Sequence, residues 1–291
     1  MGSAGKEIDR FTPKEVMMVK DILIKLVDSV PFGVRNKIKN IPGLKQLQSL
    51  LLKKLVSNKE FVATISGGPA KGLVFPVQMP QDKLMWIGTW ELDFADTLYR
   101  YIEPGWICYD IGGYKGYYAG IMALKGAAEV FVFEPMPANA EKIKKLIALN
   151  SNLPIQLKEY AVSDTCGKVS FKLMPEETMG KLEKSSFQEN EKEVSQLVVD
   201  CITIDYLVNK GFPSPDFIKI DVEGAEEFVL KGAKDLLGKM KPVLMIEIHS
   251  KEIGFRCLSL LKEFYTSVTV FETGRVPEFG FPEICHFIAL N

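Results

Sequence analysis

The chain is poor in the residues that most often hold metals and cross-links: five cysteines and two histidines in 291 residues. The cysteines, Cys108, Cys166, Cys201, Cys257 and Cys285, are odd in number and none forms a CxxC pair. That argues against a disulfide framework and a structural zinc site, and reduced thiols are expected. No apolar run approaches the roughly 18 residues that span a bilayer, and the N-terminus lacks an uninterrupted apolar segment of the secretory kind. Lys6 stands where an N-myristoylation signal wants Ser or Thr. A cytoplasmic protein is the expectation. The formal net charge of −1 gives no reason to expect a nucleic-acid partner.

Composition is otherwise that of a globular protein, 47% hydrophobic and 25% charged, so a sizeable core is expected. The small net charge hides an asymmetry. Residues 1–60 hold 12 basic and 6 acidic side chains, a net of +6, which leaves −7 for the rest. The reading is a basic helical N-terminal extension, 1–60, ahead of an α/β domain, 61–291. In "FTPKEVMMVKDILIKLVDSV" Thr12, Pro13 and Glu15 form a helix start. Between 31 and 59 there are seven basic residues and no acidic one. A helical cap with its lysines in water is the plain reading; peripheral contact with an anionic membrane is the second.

"FVATIS" (61–66) and "GLVFPV" (72–77) flank "GGPAK" as a β-hairpin, within a lead-in that runs to 104. In the core, 105–291, strands alternate with helices, and runs such as "VFVF", "FIKI" and "VLMI" are continuously apolar, as in a parallel sheet covered on both faces. The predicted fold is a doubly wound, Rossmann-like α/β sheet, mostly parallel with an antiparallel last strand. "PEETMGKLEKSSFQENEKE" (175–193) reads as one long polar loop.

In such a sheet ligands bind at the carboxyl ends of the strands. Asp110 ends the first strand and Glu134 the second. Asp164 follows the third. Asp221 and Glu223 end the fourth, and Glu247 and His249 the fifth. After Asp110, "IGGYKG" turns toward a helix, with Gly112 and Gly116 allowing close backbone approach. A dinucleotide GxGxxG does not fit: Ile111 or Tyr114 blocks either register. An acidic rim is a poor site for pyrophosphate. It suits a ligand with an amine and a positive centre, and S-adenosylmethionine has both. Glu134 is placed to accept from ribose hydroxyls, and Asp164 from an adenine amine. The alternatives are a dinucleotide-dependent oxidoreductase and a membrane-surface module on an inactive scaffold. Asp221 with Glu223 is a pair able to hold a divalent ion, but nothing else in the sequence demands one, and no metal is expected.

Five stretches, "YDIGGYKGYY" (109–118), "FVFEPMPANAEKIKKLIALN" (131–150), "AVSDTCGKV" (161–169), "DFIKIDVEGAEEFVLKGA" (216–233) and "VLMIEIH" (243–249), carry a resemblance to the FkbM-like family of S-adenosylmethionine-dependent methyltransferases. "IDVEGAE" is its most specific element, and Tyr114 stands where the family commonly has Asn. The resemblance implies cofactor contacts from Asp110, Gly112, Gly116, Glu134, Asp164 and Asp221. It implies O-methylation of a hydroxyl on a sugar or other small molecule, with a small-molecule or glycan acceptor. "GTWE" (88–91) and "KSS" (184–186) are weaker landmarks and put Glu91, Ser185 and Ser186 with Glu247 on the acceptor side. His249, whose ordinary pKa lies near neutrality, is the first choice of base, with Asp221 and Glu223 as alternatives. Glu226 and Glu227 open a helix, where carboxylates favour the dipole.

Overall fold

The computed structural model describes residues 25, 29–38, 60–173, 180–182, 195–277 and 280–291. The predicted helix over 12–30 therefore lies almost wholly outside the described residues, as do 39–59. The chain divides into two compact units, 1–92 and 93–291.

In the first unit α1 (Phe32–Ile38) precedes an antiparallel hairpin of β1 (Glu60–Thr64) and β2 (Val74–Gln78), and a short α2 (Lys83–Trp86) follows. The hairpin forms where the alternating apolar runs predict it. Arg35 does not sit in water: it is buried, and its Nη1 donates to Ser66 Oγ at 2.6 Å. Asp82 Oδ2 accepts from the Gln78 amide at 2.8 Å and fixes the exit from β2.

The second unit begins within α3 (Leu92–Tyr101) and is built on a seven-stranded sheet. Its strands are β3 (Ile107–Ile111), β4 (Glu129–Phe133), β5 (Ile155–Lys158), β10 (Phe217–Ile220), β11 (Val243–Ile248), β12 (Ser267–Val270) and β13 (Cys285–Leu290), in the order β12-β13-β11-β10-β3-β4-β5. The pairs among β5, β4, β3, β10 and β11 are parallel, and β13 is antiparallel to both its neighbours. From β3 the chain adds β4 and β5 on one side and then β10 and β11 on the other, so the strand order reverses between β3 and β10, and the crevice above their carboxyl ends is the switch point at which open α/β sheets bind ligands.

The connecting helices are α4 (Tyr117–Lys125), α5 (Pro137–Leu149), α6 (Ile204–Asn209), α7 (Glu226–Lys231), α8 (Lys234–Lys239) and α9 (Lys251–Leu261). The core on one face joins Ile218, Ile220, Leu244 and Ile246 of the strands to Val229, Leu237, Cys257 and Leu261 of the helices. This is why the central strands read as continuously apolar rather than alternating.

A second sheet stands apart from the first: β6 (Ala161–Val162), β7 (Gly167–Leu173), β8 (Gly180–Leu182) and β9 (Ser195–Ile202), in the order β6-β9-β7-β8. Two expectations are corrected. The polar stretch 175–193 is not all loop, because β8 pairs antiparallel with β7 inside it. And "AEEFVLKGAKDLL" (225–237), which reads in the sequence as a single helix after the fourth strand, is two helices. At Gly232 a Cβ would lie 2.0 Å from the Ser163 carbonyl oxygen, so the helix breaks where the second sheet crosses it. Asp205 restarts it, its two oxygens accepting from the Asp235 and Leu236 amides at 3.0 and 2.9 Å.

Candidate active site

The turn after β3 wraps the end of β4. The amides of Gly112 and Gly113 donate to the Phe133 carbonyl at 3.0 and 3.2 Å. The Tyr114 amide donates to Glu134 Oε2 at 2.8 Å and the Met136 amide to Oε1 at 2.9 Å. Tyr114 itself has φ +49°, in the left-handed region. So Tyr114 serves the turn through its backbone, while its ring lies against the ammonium groups of Lys115 and Lys142 at 5.1 and 5.8 Å. Glu134 is buried, and desolvation pushes its carboxyl up to about 7 despite the two amides that favour the ionised form.

Gly112 has φ +83°, and a Cβ there would sit 1.7 Å from the Asp221 carbonyl oxygen. The clearance it provides is for the end of β10, which brings the first and fourth strand ends together. Gly116, at φ +77°, faces Leu146 and Ile143 of α5.

One buried cation ties these ends together. Lys219 pairs in register with Asp110 across β10 and β3. Its Nζ lies 3.4 Å from Asp110 Oδ1, 3.2 Å from Asp221 Oδ2 and 3.1 Å from the Gly112 carbonyl. Burial alone would lower the Lys219 pKa, but Asp221 and Asp110 outweigh it and hold the ammonium charged. Asp110 is fully buried and its carboxyl is raised by desolvation, with Lys219 opposing. For Asp221 desolvation also pushes upward, yet Lys219 and His249 prevail and hold the carboxyl below its ordinary value.

The second half of the cluster is centred on His249, just past β11. Its Nδ1 lies 2.7 Å from Glu226 Oε1, at the first position of α7. Its Nε2 faces Glu223 Oε2 at 3.4 Å, Asp221 Oδ1 at 3.7 Å and Glu247 Oε1 at 3.9 Å. Glu247 is in register with His286 across β11 and β13, and its other oxygen lies 3.8 Å from His286 Nε2. Glu272 Oε1 holds the far side of that ring at 2.6 Å. Burial would depress His249, but Glu226, Asp221 and Glu223 raise its pKa to about 10. Desolvation raises the Glu223 carboxyl, with His249 working against it.

The strand-end residues Asp110, Gly112, Asp221, Glu223, Glu247 and His249 are thus brought together, and Glu134 and Gly116 belong to the adjoining turn. Asp164 is not on the rim of the main sheet. The third main strand ends at Lys158, and Asp164 follows β6 of the second sheet, where Ser163 Oγ donates to it at 3.1 Å. Glu91 belongs to the first unit, at φ +39°. Ser185 and Ser186 lie outside the described residues.

Lys219 was missed in the sequence. Its signal was a lysine inside the apolar run "FIKI", where a buried charge needs a partner. Glu226 was read as a helix-dipole residue, yet it is buried against His249. Its neighbour Glu227 keeps the structural role, paired with Arg256 at 2.6 Å.

The family described as Methyltransferase FkbM domain matches residues 110–287, well over half of the chain. The chain belongs to this family of methyltransferases. The match begins at Asp110 and takes in the whole strand-end cluster. A curated relative, the hexuronic acid methyltransferase AglP of Haloferax volcanii, is 29% identical over 190 residues, covering 65% of this methyltransferase and 75% of AglP. Among solved structures, methyltransferase FkbM from Methylobacillus flagellatus KT is similar at TM-score 0.44 and 18% identity. It covers 63% of this chain but only 43% of that one. A precorrin-6y C5,15-methyltransferase from Geobacter metallireducens GS-15 is similar at TM-score 0.43 and 12% identity, covering 69% and 89% of the two chains. Among the described residues no helix is long and apolar enough to cross a membrane.

Proposed function

We propose that this methyltransferase uses S-adenosylmethionine to methylate a hydroxyl of a sugar acceptor of the uronic-acid class. The observation that carries the reading is the convergence of carboxylates at the switch point, with Gly112 bringing the two strand ends within contact. The donor set fits the cofactor. Carboxylates suit its ammonium and sulfonium, and Glu134 has the acceptor chemistry for ribose hydroxyls. When bound, the cofactor supplies an electrophilic methyl group on a sulfonium. Asp110, Glu134 and the turn through Gly116 would hold it. The sugar class comes from AglP, a relative named for hexuronic acid.

The residues of the chain then have two tasks. One is orientation, which can supply about 7–11 kcal/mol of a barrier when reacting groups are fixed in line. Lys219 and Glu226 contribute by fixing Asp221 and His249. The other is to accept the hydroxyl proton. His249 already carries a proton at neutral pH, since its pKa is raised to about 10 by the surrounding carboxylates. Our reading therefore gives the proton to Glu223, raised by desolvation and 3.4 Å from the imidazole, with His249 as its positive partner. Glu223→Gln is expected to lower kcat by about 10²- to 10⁴-fold while leaving S-adenosylhomocysteine affinity nearly unchanged. Equal activity in single-turnover assays would remove Glu223 from this role.

The acceptor oxygen is open to a direct test, because a uronic acid offers hydroxyls and a carboxyl. A hydroxyl acceptor gives a methyl ether that survives mild alkali, whereas a carboxyl acceptor gives an ester that does not. Mass spectrometry of hexuronic acid glycosides after incubation with enzyme and cofactor should show an alkali-stable added methyl. An alkali-labile one would overturn the hydroxyl assignment.

Glu134 adds a pH dependence. Its ionised form accepts from two amides and from ribose, so protonation below about 7 opposes binding. Affinity for S-adenosylhomocysteine, by calorimetry, is expected to rise between about pH 6 and about pH 8 and then level off. A flat profile would show that Glu134 does not sense the ligand.

A further inference from the structure

Four carboxylates, those of Asp221, Glu223, Glu226 and Glu247, surround the single imidazole of His249. Among the described residues, Lys219 lies between Asp110 and Asp221, and the His286 ring between Glu247 and Glu272. Asp221, Glu247 and His249 each offer one ligand atom, and these atoms all lie within 4.8 Å of one another. The separations from His249 Nε2, 3.7 Å to Asp221 and 3.9 Å to Glu247, are too long for good hydrogen bonds. They suit atoms that share an ion, since ligands on opposite sides of a Mg²⁺-sized ion lie about 4.2 Å apart.

The second observation is the other side of the ring. Glu226 is wholly buried, accepts from the Gly224 amide at 3.0 Å, and meets His249 Nδ1 at 2.7 Å, while its Oε2 finds no hydrogen-bond partner among the described residues. A carboxylate behind one ring nitrogen fixes the orientation and tautomer of the imidazole and turns the other nitrogen toward a metal. Such a buried charge gains from a cation on the far side of the ring. An anionic uronic acid would otherwise meet like charge from Asp221, Glu223 and Glu247.

We infer that Asp221, Glu247 and His249 form a divalent-cation site of the Mg²⁺/Mn²⁺ class, oriented by Glu226, that presents the acceptor's oxygens to the methyl donor. The inference rests on the sugar-methyltransferase reading above. The cation would replace the Nε2 proton that His249 carries in its absence, take Nε2 as the third protein ligand, stand in for the imidazolium as the positive partner of Glu223, and keep open positions for a hydroxyl and a neighbouring acceptor oxygen. Bound there, the hydroxyl becomes more acidic, and Glu223 stays free of the ion to accept its proton. The bonds balance: the hydroxyl loses H⁺ to Glu223, its oxygen takes the methyl, and the sulfur keeps the electron pair of the broken bond.

The test is Mn²⁺ binding to the cofactor-free full chain, followed by electron paramagnetic resonance of the free ion. One Mn²⁺ per chain, displaced by Mg²⁺, is expected. Glu226→Gln should weaken it by about 10- to 100-fold, Glu247→Gln and His249→Asn by at least as much, and the surface variant Glu263→Gln not at all. Circular dichroism establishes that each variant is folded. If Glu247→Gln does not fold, His249→Asn carries the test. Unbound Mn²⁺ at millimolar protein, or equal affinity in the folded ligand variants, overturns the site. S-adenosylhomocysteine calorimetry on the same preparation separates the two readings. Cofactor bound without Mn²⁺ removes only the cation site, whereas neither bound removes both.

Discussion

Replacing Lys219 by methionine is expected to cost about 3–5 kcal/mol of stability, because it strands the wholly buried Asp110 carboxylate without its cation and beside the half-buried Asp221. Lys219 is 3% exposed and Asp110 is 0% exposed, so neither can recruit water in exchange. Methionine fills a similar volume, which isolates the loss of charge from the loss of packing. The compensating variant is informative. Adding Asp110→Asn should return part of the stability, since the remaining Asp221 is partly open to solvent. Adding a distant substitution should not. Urea melts of the single and double variants measure this coupling. Additive effects would mean that Lys219 acts through packing alone, for instance against the Tyr118 ring 5.1 Å from its Nζ.

Gly112→Ala should have an effect of similar size by a different route. The left-handed backbone costs a side chain about 1–2 kcal/mol. The overlap with the Asp221 carbonyl adds about 1–3 kcal/mol as the strand ends are forced apart. Because the displaced atom is backbone, the strain moves Asp221 and the Lys219 contact with it. The expected outcome is a lower thermal midpoint together with a large loss of S-adenosylhomocysteine affinity. Gly105→Ala is the control. Gly105 has a similar φ of +89°, but a Cβ there meets nothing within 4 Å. It should lose stability from backbone strain alone and keep its cofactor affinity. Equal loss of affinity in both variants would contradict the view that Gly112 is required for contact between strand ends.

The site was legible in the sequence to the extent that it lies where apolar strands stop. Asp110, Asp221, Glu223, Glu247 and His249 each follow a buried run, and the doubly wound order alone sends those ends to one rim. Residues that act within an element were harder to see. Lys219 points the same way as Asp110 only because β3 and β10 are neighbours in register, and sequence distance hides that pairing. Glu226 satisfies the local rule for a helix start, so nothing local distinguishes it from Glu227. Which of the two turns inward is decided by the packing of α7 against the sheet. Asp164 was misplaced because β5 ends at Lys158 and the chain leaves for a second sheet before it reaches Asp164. That sheet was invisible for a related reason. β8 is three residues long and sits in a polar stretch with no alternation to announce it.

Two features now fit together that the sequence left separate. Tyr114, at the position where a side-chain contact would be sought, contributes a backbone N–H to Glu134 instead. The acidic rim is more than a set of acceptors, since its charges fix Lys219 and His249 in their ionised forms. The site is therefore electrostatically organised before a ligand arrives, which is the condition under which charge stabilisation contributes most to a rate.

Isothermal titration of the folded full-length protein with S-adenosylhomocysteine tests the central claim most directly. Binding of one ligand per chain, lost in Gly112→Ala and kept in Gly105→Ala, is the predicted result. Absence of heat and of any thermal stabilisation at millimolar ligand, from protein shown to be folded, would contradict it.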